Sequence, residues 1–316
     1  MKILVTGGTG YIGSHAVEIL MNSGHEVTVL DDCSTGHLDS LPPTVRFIQG
    51  SLLDPDLVVR ALKGCEAVMH FAGKSLVGES VKKPDLYRQV NVAGTKVLLD
   101  GMNTLGIKKI VFSSSAATYG EPEKSPISEK AQCVPTNPYG ETKLAIERDL
   151  STAALTQHLA AISLRYFNVA GALKTQRGWL AERHEPETHL IPNALRATKE
   201  SPLRIFGRDW NTPDRTCIRD YVHVVDLIDA HVKALNALVD SKHHIINIGS
   251  GTGYSVMQVV DAVSRVKNSE LATVDAPRRA GDPAVLVADI SKAEKLINWK
   301  PVKGLDEMVE DTFKAS

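Results

Sequence analysis

The chain has 316 residues, 43% hydrophobic and 23% charged, with a formal net charge of −1. That length suggests about two domains, or one domain with a cap, and an ample core. The near-zero charge leaves no basic footprint for nucleic acid or an anionic membrane surface, and no apolar run approaches the roughly 18 residues of a bilayer span.

Met1 leads straight into Lys2-Ile3-Leu4-Val5-Thr6, which reads as a short buried strand and leaves no room for a signal peptide. Gly7, Gly10 and Gly13 follow, and His15 to Asn22 carries apolar residues at helical spacing. Strand, tight turn and helix in that order bring backbone amides and the positive end of a helix dipole up to a pyrophosphate. The next strand, Glu26 to Leu30, ends in Asp31, about twenty residues past the glycines. An acid there accepts from a ribose 2′-hydroxyl and repels a 2′-phosphate, which favours NAD over NADP.

Strand-like and helix-like segments then alternate: Arg46 to Gln49, Leu57 to Leu62, Ala67 to Phe71, Val92 to Leu105, Lys109 to Phe112, Lys143 to His158 and Ala160 to Arg165. This rhythm predicts an α/β fold, a doubly wound parallel (Rossmann) sheet with a ligand at the carboxyl ends of its strands. Past Asn168 the rhythm breaks, and Leu173 to Thr188 is polar and irregular. Residues 1–168 are therefore expected to form the NAD-binding domain and 169–316 a smaller α/β substrate-binding domain, with some chain returning to the first.

Tyr139 and Lys143 are four residues apart, so on a helix they share one face. A neighbouring ammonium favours the phenolate and draws the tyrosine pKa down from about 10, suiting Tyr139 to general acid/base work. Cys33, Cys65, Cys133 and Cys217 are isolated, as in reduced cytoplasmic thiols, and a cytoplasmic protein is expected. His184 and His189 are five apart with Pro186 between them, so no metal site is expected.

Several motifs in order carry a resemblance: Val5 to His15, His70-Phe71-Ala72-Gly73, Val77-Gly78-Glu79-Ser80, Phe112 to Ser115, Tyr139 with Lys143, Arg165-Tyr166-Phe167-Asn168, Arg219 to Val224, and Arg278-Arg279-Ala280-Gly281-Asp282. Through them the chain resembles the extended short-chain dehydrogenase/reductase family, and within it the 4-epimerases of UDP-hexoses, from Met1 to about Thr312. The resemblance implies reversible inversion at C4 of UDP-glucose and UDP-galactose with tightly held NAD, and a catalytic triad of Ser115, Tyr139 and Lys143. It implies NAD contacts from Gly7, Gly10, Tyr11, Ile12, Gly13, Asp31, Asp32, Ser51, Leu52, Phe71, Ala72, Gly73, Lys74, Asn91, Ser113, Tyr139, Lys143 and Tyr166. For the UDP-sugar it implies Ser115, Tyr139, Asn168, His189, Leu190, Phe206, Arg219, Arg279 and Asp282, and it implies a homodimer formed through the helices Val92–Leu105 and Lys143–His158.

Departures from the family pattern stand at Ser51, where an acid that contacts adenine is common, and at Arg215, where glycine is common; Lys74 sits one place before the lysine of some relatives. A 4,6-dehydratase would need an Asp-Glu pair where this chain has Ala116-Ala117. A non-catalytic NAD-sensing relative would lack the Tyr139 and Lys143 that are kept here. Epimerisation of UDP-N-acetylhexosamines or UDP-pentoses is the nearer alternative, because pocket shape decides it, with Leu286 at the expected wall.

Overall fold

The computed structural model describes residues 1–239, 241–279 and 282–316; Ala280 and Gly281 of the second arginine motif lie outside them. The first half runs β1 (Lys2–Thr6), α1 (Tyr11–Asn22), β2 (Glu26–Asp31), β3 (Arg46–Gln49), α2 (Pro55–Leu62), β4 (Ala67–His70), α3 (Val77–Lys82), α4 (Pro84–Tyr87), a wide π-turn (Arg88–Ala93), α5 (Gly94–Thr104), β5 (Lys109–Ser115), α6 (Pro138–Thr156) and β6 (Ala160–Tyr166). The second half gives β7 (Asn168–Ala170), the hairpin β8 (Leu173–Thr175) and β9 (Gly178–Leu180), α7 (Leu190–Arg196), β10 (Leu203–Phe206), β11 (Ile218–Arg219), β12 (Tyr221–His223) and α8 (Val224–Asn236). It continues with β13 (His243–Ile248), β14 (Tyr254–Ser255), α9 (Val256–Lys267), β15 (Thr273–Ala276), β16 (Val285–Leu286), α10 (Ser291–Ile297) and α11 (Leu305–Lys314).

The main sheet has seven strands in the order β13-β6-β5-β4-β1-β2-β3, and every pairing is parallel. This is the expected doubly wound sheet, with its reversal of strand order between β1 and β4, where a crevice opens at the carboxyl ends. Helices cover both faces, so the central strands are apolar throughout: Ile3, Leu4 and Val5 are all fully buried. One face packs through Val17, Leu20, Leu227, Ala230 and Trp299, the other through Leu57, Leu62, Leu98, Met102, Ile146 and Leu150.

The chain past residue 168 does not stay apart from this layer. β13 extends the sheet beside β6, while α8 and α10 contribute to the core under α1. A second core, built from Ile191, Ile205, Tyr221, Val259, Val263, Met308 and Val309, holds α7, α9, α11 and the β10–β15 pair together. The two units therefore interleave along the sequence around 221–248 and 285–299.

Element boundaries differ from expectation for local reasons. α1 begins at Tyr11, directly after Gly10, because the inward positions of its first turn are Ser14 and His15, polar residues that mask the apolar period. The helical stretch expected at 92–105 reaches back to Pro84 through the π-turn at 88–93, where an irregular ring carries Asn91 inward. α6 starts earlier than Lys143, with Asn137 as N-cap accepting from Gly140 N and Pro138 at its first position.

Candidate active site

A cleft of about 1680 Å³ runs along the carboxyl edge of the sheet, from the first glycine turn at one end to Arg219 and Arg279 at the other. Its floor begins at Gly7, which has a φ of 73° and so lies in the left-handed region glycine favours. A Cβ there would meet Ala72 N at 2.5 Å, so the crossing of the first turn over β4 requires glycine. Gly13 is required for a different contact: its Cβ would fall 2.0 Å from Gly7 O. Gly10 caps α1 with no side-chain cap, leaving first-turn amides directed at the cleft.

Asp31 lines this end, held by Thr9 N on Oδ2 at 2.9 Å and by Cys33 N on Oδ1 at 2.8 Å. A bare glycine cradle, an uncapped helix start and a fixed carboxylate fit the phosphates and adenosine ribose of NAD. Tyr11, Ile12, Asp32, Ser51, Leu52, Phe71, Ala72, Gly73 and Lys74 also line the cleft. Gly13 and Asn91, expected among the cofactor residues, stand behind the wall instead. Asn91 is buried, accepts from Lys74 N at 2.8 Å and donates to Lys74 O and Thr142 Oγ1, so it shapes the Gly73–Lys74 loop from beneath. Asp54, the nearest acid to Ser51, accepts from Leu57 N as the N-cap of α2 and does not line the cleft.

In the middle of the cleft Ser113, Ser115, Tyr139, Lys143 and Tyr166 converge. Lys143 Nζ donates to Ser113 O at 2.7 Å and lies 5.7 Å from the centre of the Tyr139 ring. Ser113 Oγ and Tyr166 OH share a hydrogen bond. Burial pushes the Tyr139 phenol above its usual range, and the Ser115 hydroxyl pulls the other way. This corrects the expectation from spacing alone: the ammonium shares the cleft with the phenol, but in the chain by itself dehydration of the phenolate wins. Burial also lowers Lys143 to about 8, against the field of Glu147.

The far end gathers Asn168, His189, Leu190, Phe206, Arg219, Arg279, Asp282 and Leu286. The Arg279 guanidinium sits 3.9 Å from the centre of the Phe206 ring. Arg219 Nη1 donates to the carbonyls of Ile218 and Pro283, and its buried Nη2 has no hydrogen-bond partner among the described residues, 3.6 Å from Asp282 Oδ1. Two guanidinium groups, one with an N–H to spare, suit a diphosphate. The twin arginines have separate tasks, since Arg278 is ion-paired with Asp209 and stacked on Trp210, outside the cleft. Arg215 is exposed and does not line the cleft either.

Residues that sequence reading passed over are mostly carboxylates. In the loop before α7, His184 Nδ1 lies 2.7 Å from Glu182 Oε1, and His189 Nδ1 lies 2.7 Å from Glu187 Oε1. Glu182, His184 and His189 offer ligand atoms within 4.8 Å of one another, a grouping that spacing along the chain did not reveal. His189 Nδ1 is hydrogen-bonded to Glu187, whereas His184 Nδ1 only lies against Glu182 without a well-aligned hydrogen bond, so the loop is held by two histidine–glutamate latches of unequal geometry. His70 and His223, at the ends of β4 and β12, are structural. His70 bridges Thr6 and Thr95 and is lowered by burial to about 3. His223 caps α8 and meets Asp311.

Residues 3–249 match the model of the NAD dependent epimerase/dehydratase family. A curated UDP-glucose 4-epimerase of Corynebacterium glutamicum is 48% identical over 99% of this chain and 95% of its own length. A solved UDP-glucose 4-epimerase superposes with a TM-score of 0.94 at 44% identity, covering 99% of this chain and 97% of that one. The structure of UDP-glucose 4-epimerase from Brucella ovis in complex with NAD gives 0.93 at 39% identity, with coverage of 99% and 97%. By family model, sequence and fold alike, this chain belongs to the NAD dependent epimerase/dehydratase family.

Proposed function

We propose that the chain is an NAD-dependent UDP-glucose 4-epimerase, inverting C4 of UDP-glucose and UDP-galactose through a 4-keto sugar. The observation that carries this reading is the position of Tyr139, Lys143 and Ser115 midway along one cleft, with a dinucleotide cradle at one end and Arg219 and Arg279 at the other. NAD, when bound, supplies the acceptor for the C4 hydride and its return. Tyr139 takes the proton of the 4-hydroxyl as the C4–H bond breaks and gives it back when the sugar is reduced on its other face. The Ser115 hydroxyl shares that oxygen and stabilises the charge on it. Lys143, fixed by Ser113 O, supplies the local positive charge and holds the nicotinamide ribose.

At the diphosphate end Arg219 and Arg279 hold the phosphates, Phe206 stands beside uracil, Asp282 takes a ribose hydroxyl, and Asn168, His189 and Leu190 complete the clamp. A single anchor of this kind leaves the hexose free to turn between the two half-reactions. Epimerisation of UDP-N-acetylhexosamines or UDP-pentoses is the second reading, kept open by Leu286 in the cleft wall, which is smaller than an aromatic ring but larger than cysteine. The division into a 1–168 cofactor unit and a later substrate unit follows the same reading, with β13 and α8 returning to the first. A cytoplasmic location and a homodimer through α5 and α6 are part of it, the dimer supported by Leu155, 79% exposed on α6, and Leu105, 40% exposed just past the end of α5.

The test is incubation with UDP-galactose while proton NMR follows the anomeric signals. Appearance of UDP-glucose up to an equilibrium mixture supports the reading; no exchange with NAD present overturns it. Sedimentation at micromolar concentration separates monomer from dimer.

A further inference from the structure

Tyr139, Lys143 and Glu147 recur every four residues on α6 and lie along one helix face. Each meets one of three successive residues of β5: Tyr139 faces the Ser115 hydroxyl, Lys143 donates to Ser113 O, and Glu147 Oε1 accepts from Ser114 Oγ at 2.6 Å. Arg165, in register with Ser114 on the neighbouring strand β6, donates to Glu147 through Nε at 2.8 Å and through Nη2 at 2.5 Å. The two charged side chains are 3% and 2% exposed, and neither lines the cleft. The ring of Tyr119 covers the guanidinium at 4.7 Å.

A buried ion pair contributes little net stability, because the desolvation of two charges offsets their attraction. This one instead joins α6, β5 and β6 directly beneath the residues that handle the proton. We infer that Glu147 and Arg165 are positioning residues for the reaction: they lock the register of α6 on β5, so that Tyr139 and Lys143 stay aimed at the sugar C4 oxygen. The inference rests on Tyr139 being the acid/base of the proposed reaction.

Electrostatics adds to the geometry. The titratable groups around Lys143 are Tyr139 and Glu147 from α6 and His70 from β4; Tyr166 of β6 and Tyr87 of α4 face Tyr139, and Tyr119, Cys133 and His243 lie around the Glu147–Arg165 pair. His70 is neutral, so Glu147 is the anion among them. Its field raises the Lys143 pKa against the lowering by burial.

Two variants test this. In the double variant Glu147→Met/Arg165→Met the volume is filled without leaving a lone buried charge; Glu147→Gln keeps acceptor capacity for Ser114 but removes the anion. In both, kcat with UDP-galactose should drop by about tenfold or more, as for a displaced acid/base, with KM little changed. The Tyr139 phenol, titrated by ultraviolet difference against the matching Tyr139→Phe protein, should ionise at a pH displaced from the parental one by about half a unit or more, because a shifted α6 changes the burial of the ring and its contact with Ser115. That optical readout needs no sugar, so it stands even if the substrate proves to be another nucleotide sugar. A folded double variant with parental kcat and parental Tyr139 titration overturns the inference. If the double variant does not fold, Glu147→Gln decides: unchanged kcat and titration overturn it, and the paired shifts support it.

Discussion

The ammonium of Lys143 lies 5.7 Å from the centre of the Tyr139 ring, in a pocket where burial pushes the phenol pKa up and the lysine pKa down to about 8. The two shifts have one cause, and they set the pH behaviour. Replacing Tyr139 by Phe removes the proton acceptor and keeps the ring, so epimerisation should fall roughly a hundredfold or more while NAD remains bound. Turnover within a few fold of the parent would remove Tyr139 from the mechanism. For Lys143 the sign is that of a depressed cation: the charged form dominates below about 8 and is lost above it. The kcat of the parent should therefore decline on the alkaline side, and a Lys143→Met variant should be slow throughout, without that decline.

Asp31 spends one oxygen on Thr9 N and the other on Cys33 N, which fixes the carboxylate plane at the cleft edge. A ribose 2′-hydroxyl can donate to it, whereas a 2′-phosphate would face a fixed negative charge. NAD should raise the melting temperature of stripped protein, by about 2.7 kcal/mol of stabilisation at a hundredfold excess over Kd, and NADP should do little. Equal stabilisation by both would contradict the assignment.

The latches before α7 predict a pH-dependent contribution to stability. His184 is raised mainly by its close contact with the Glu182 carboxylate; His189, although burial opposes its charge, is raised by Glu187 and by the fields of Glu182 and Glu187. Glu187, although burial opposes its ionisation, is lowered by His189. A histidine raised on folding contributes below its unfolded pKa of about 6.5 and ceases to contribute as pH rises through the folded value. A lowered glutamate contributes above about 4.3. The latches should hold best between these limits. His184→Gln/His189→Gln protein should melt below the parent near pH 6 and close to it near pH 9; an equal deficit at both would mean that the loop is held by packing alone.

How much was legible can be judged from particular residues. The glycine turn, Asp31, Ser115 and the Tyr139–Lys143 pair were readable because their spacing is fixed by one local element each. Glu147 was hidden in plain spacing, four residues after Lys143, since its significance depends on Arg165 arriving from β6. The latches were hidden because His184 and His189 meet their acids through a loop fold with no periodicity. Gly13 and Asn91 act from behind the wall, a distinction that motif spacing does not carry. The return of β13 to the sheet depends on pairing with β6 across some eighty residues, which no local pattern encodes.

Arg215, a departure from the family pattern, has a conformational consequence. Its φ is 64°, in a turn where Arg215 N donates to Thr212 O and Trp210 N donates to Arg215 O. A left-handed conformation costs a non-glycine residue roughly 1–2 kcal/mol, a cost that glycine at this place would avoid. The exposed guanidinium makes no described hydrogen bond that would offset this. Arg215→Gly should raise the melting temperature by about 2 °C with kcat unchanged. A lower melting temperature would show that the side chain contributes more than the backbone strain removes.

Leu286 sets the last expectation. It pairs in register with Arg219, through β16 on β11, and lines the cleft, so the wall beside the sugar and the diphosphate anchor are built on one ladder. A 4-keto sugar anchored by its diphosphate must sweep its ring substituents past this wall as it turns. A C2 acetamido group is larger than a hydroxyl, and overpacking there costs about 1–3 kcal/mol, or roughly tenfold to a hundredfold in rate. Activity should be good with UDP-glucose and UDP-galactose and weaker with UDP-N-acetylglucosamine. Leu286→Cys shortens the side chain without adding a charge to the β11 ladder, so it should improve the N-acetylated substrate selectively. The measurement is kcat/KM for both substrates in parent and variant. A ratio that does not move would mean that Leu286 only packs its strand, and that the limit on C2 substituents is set elsewhere along the cleft.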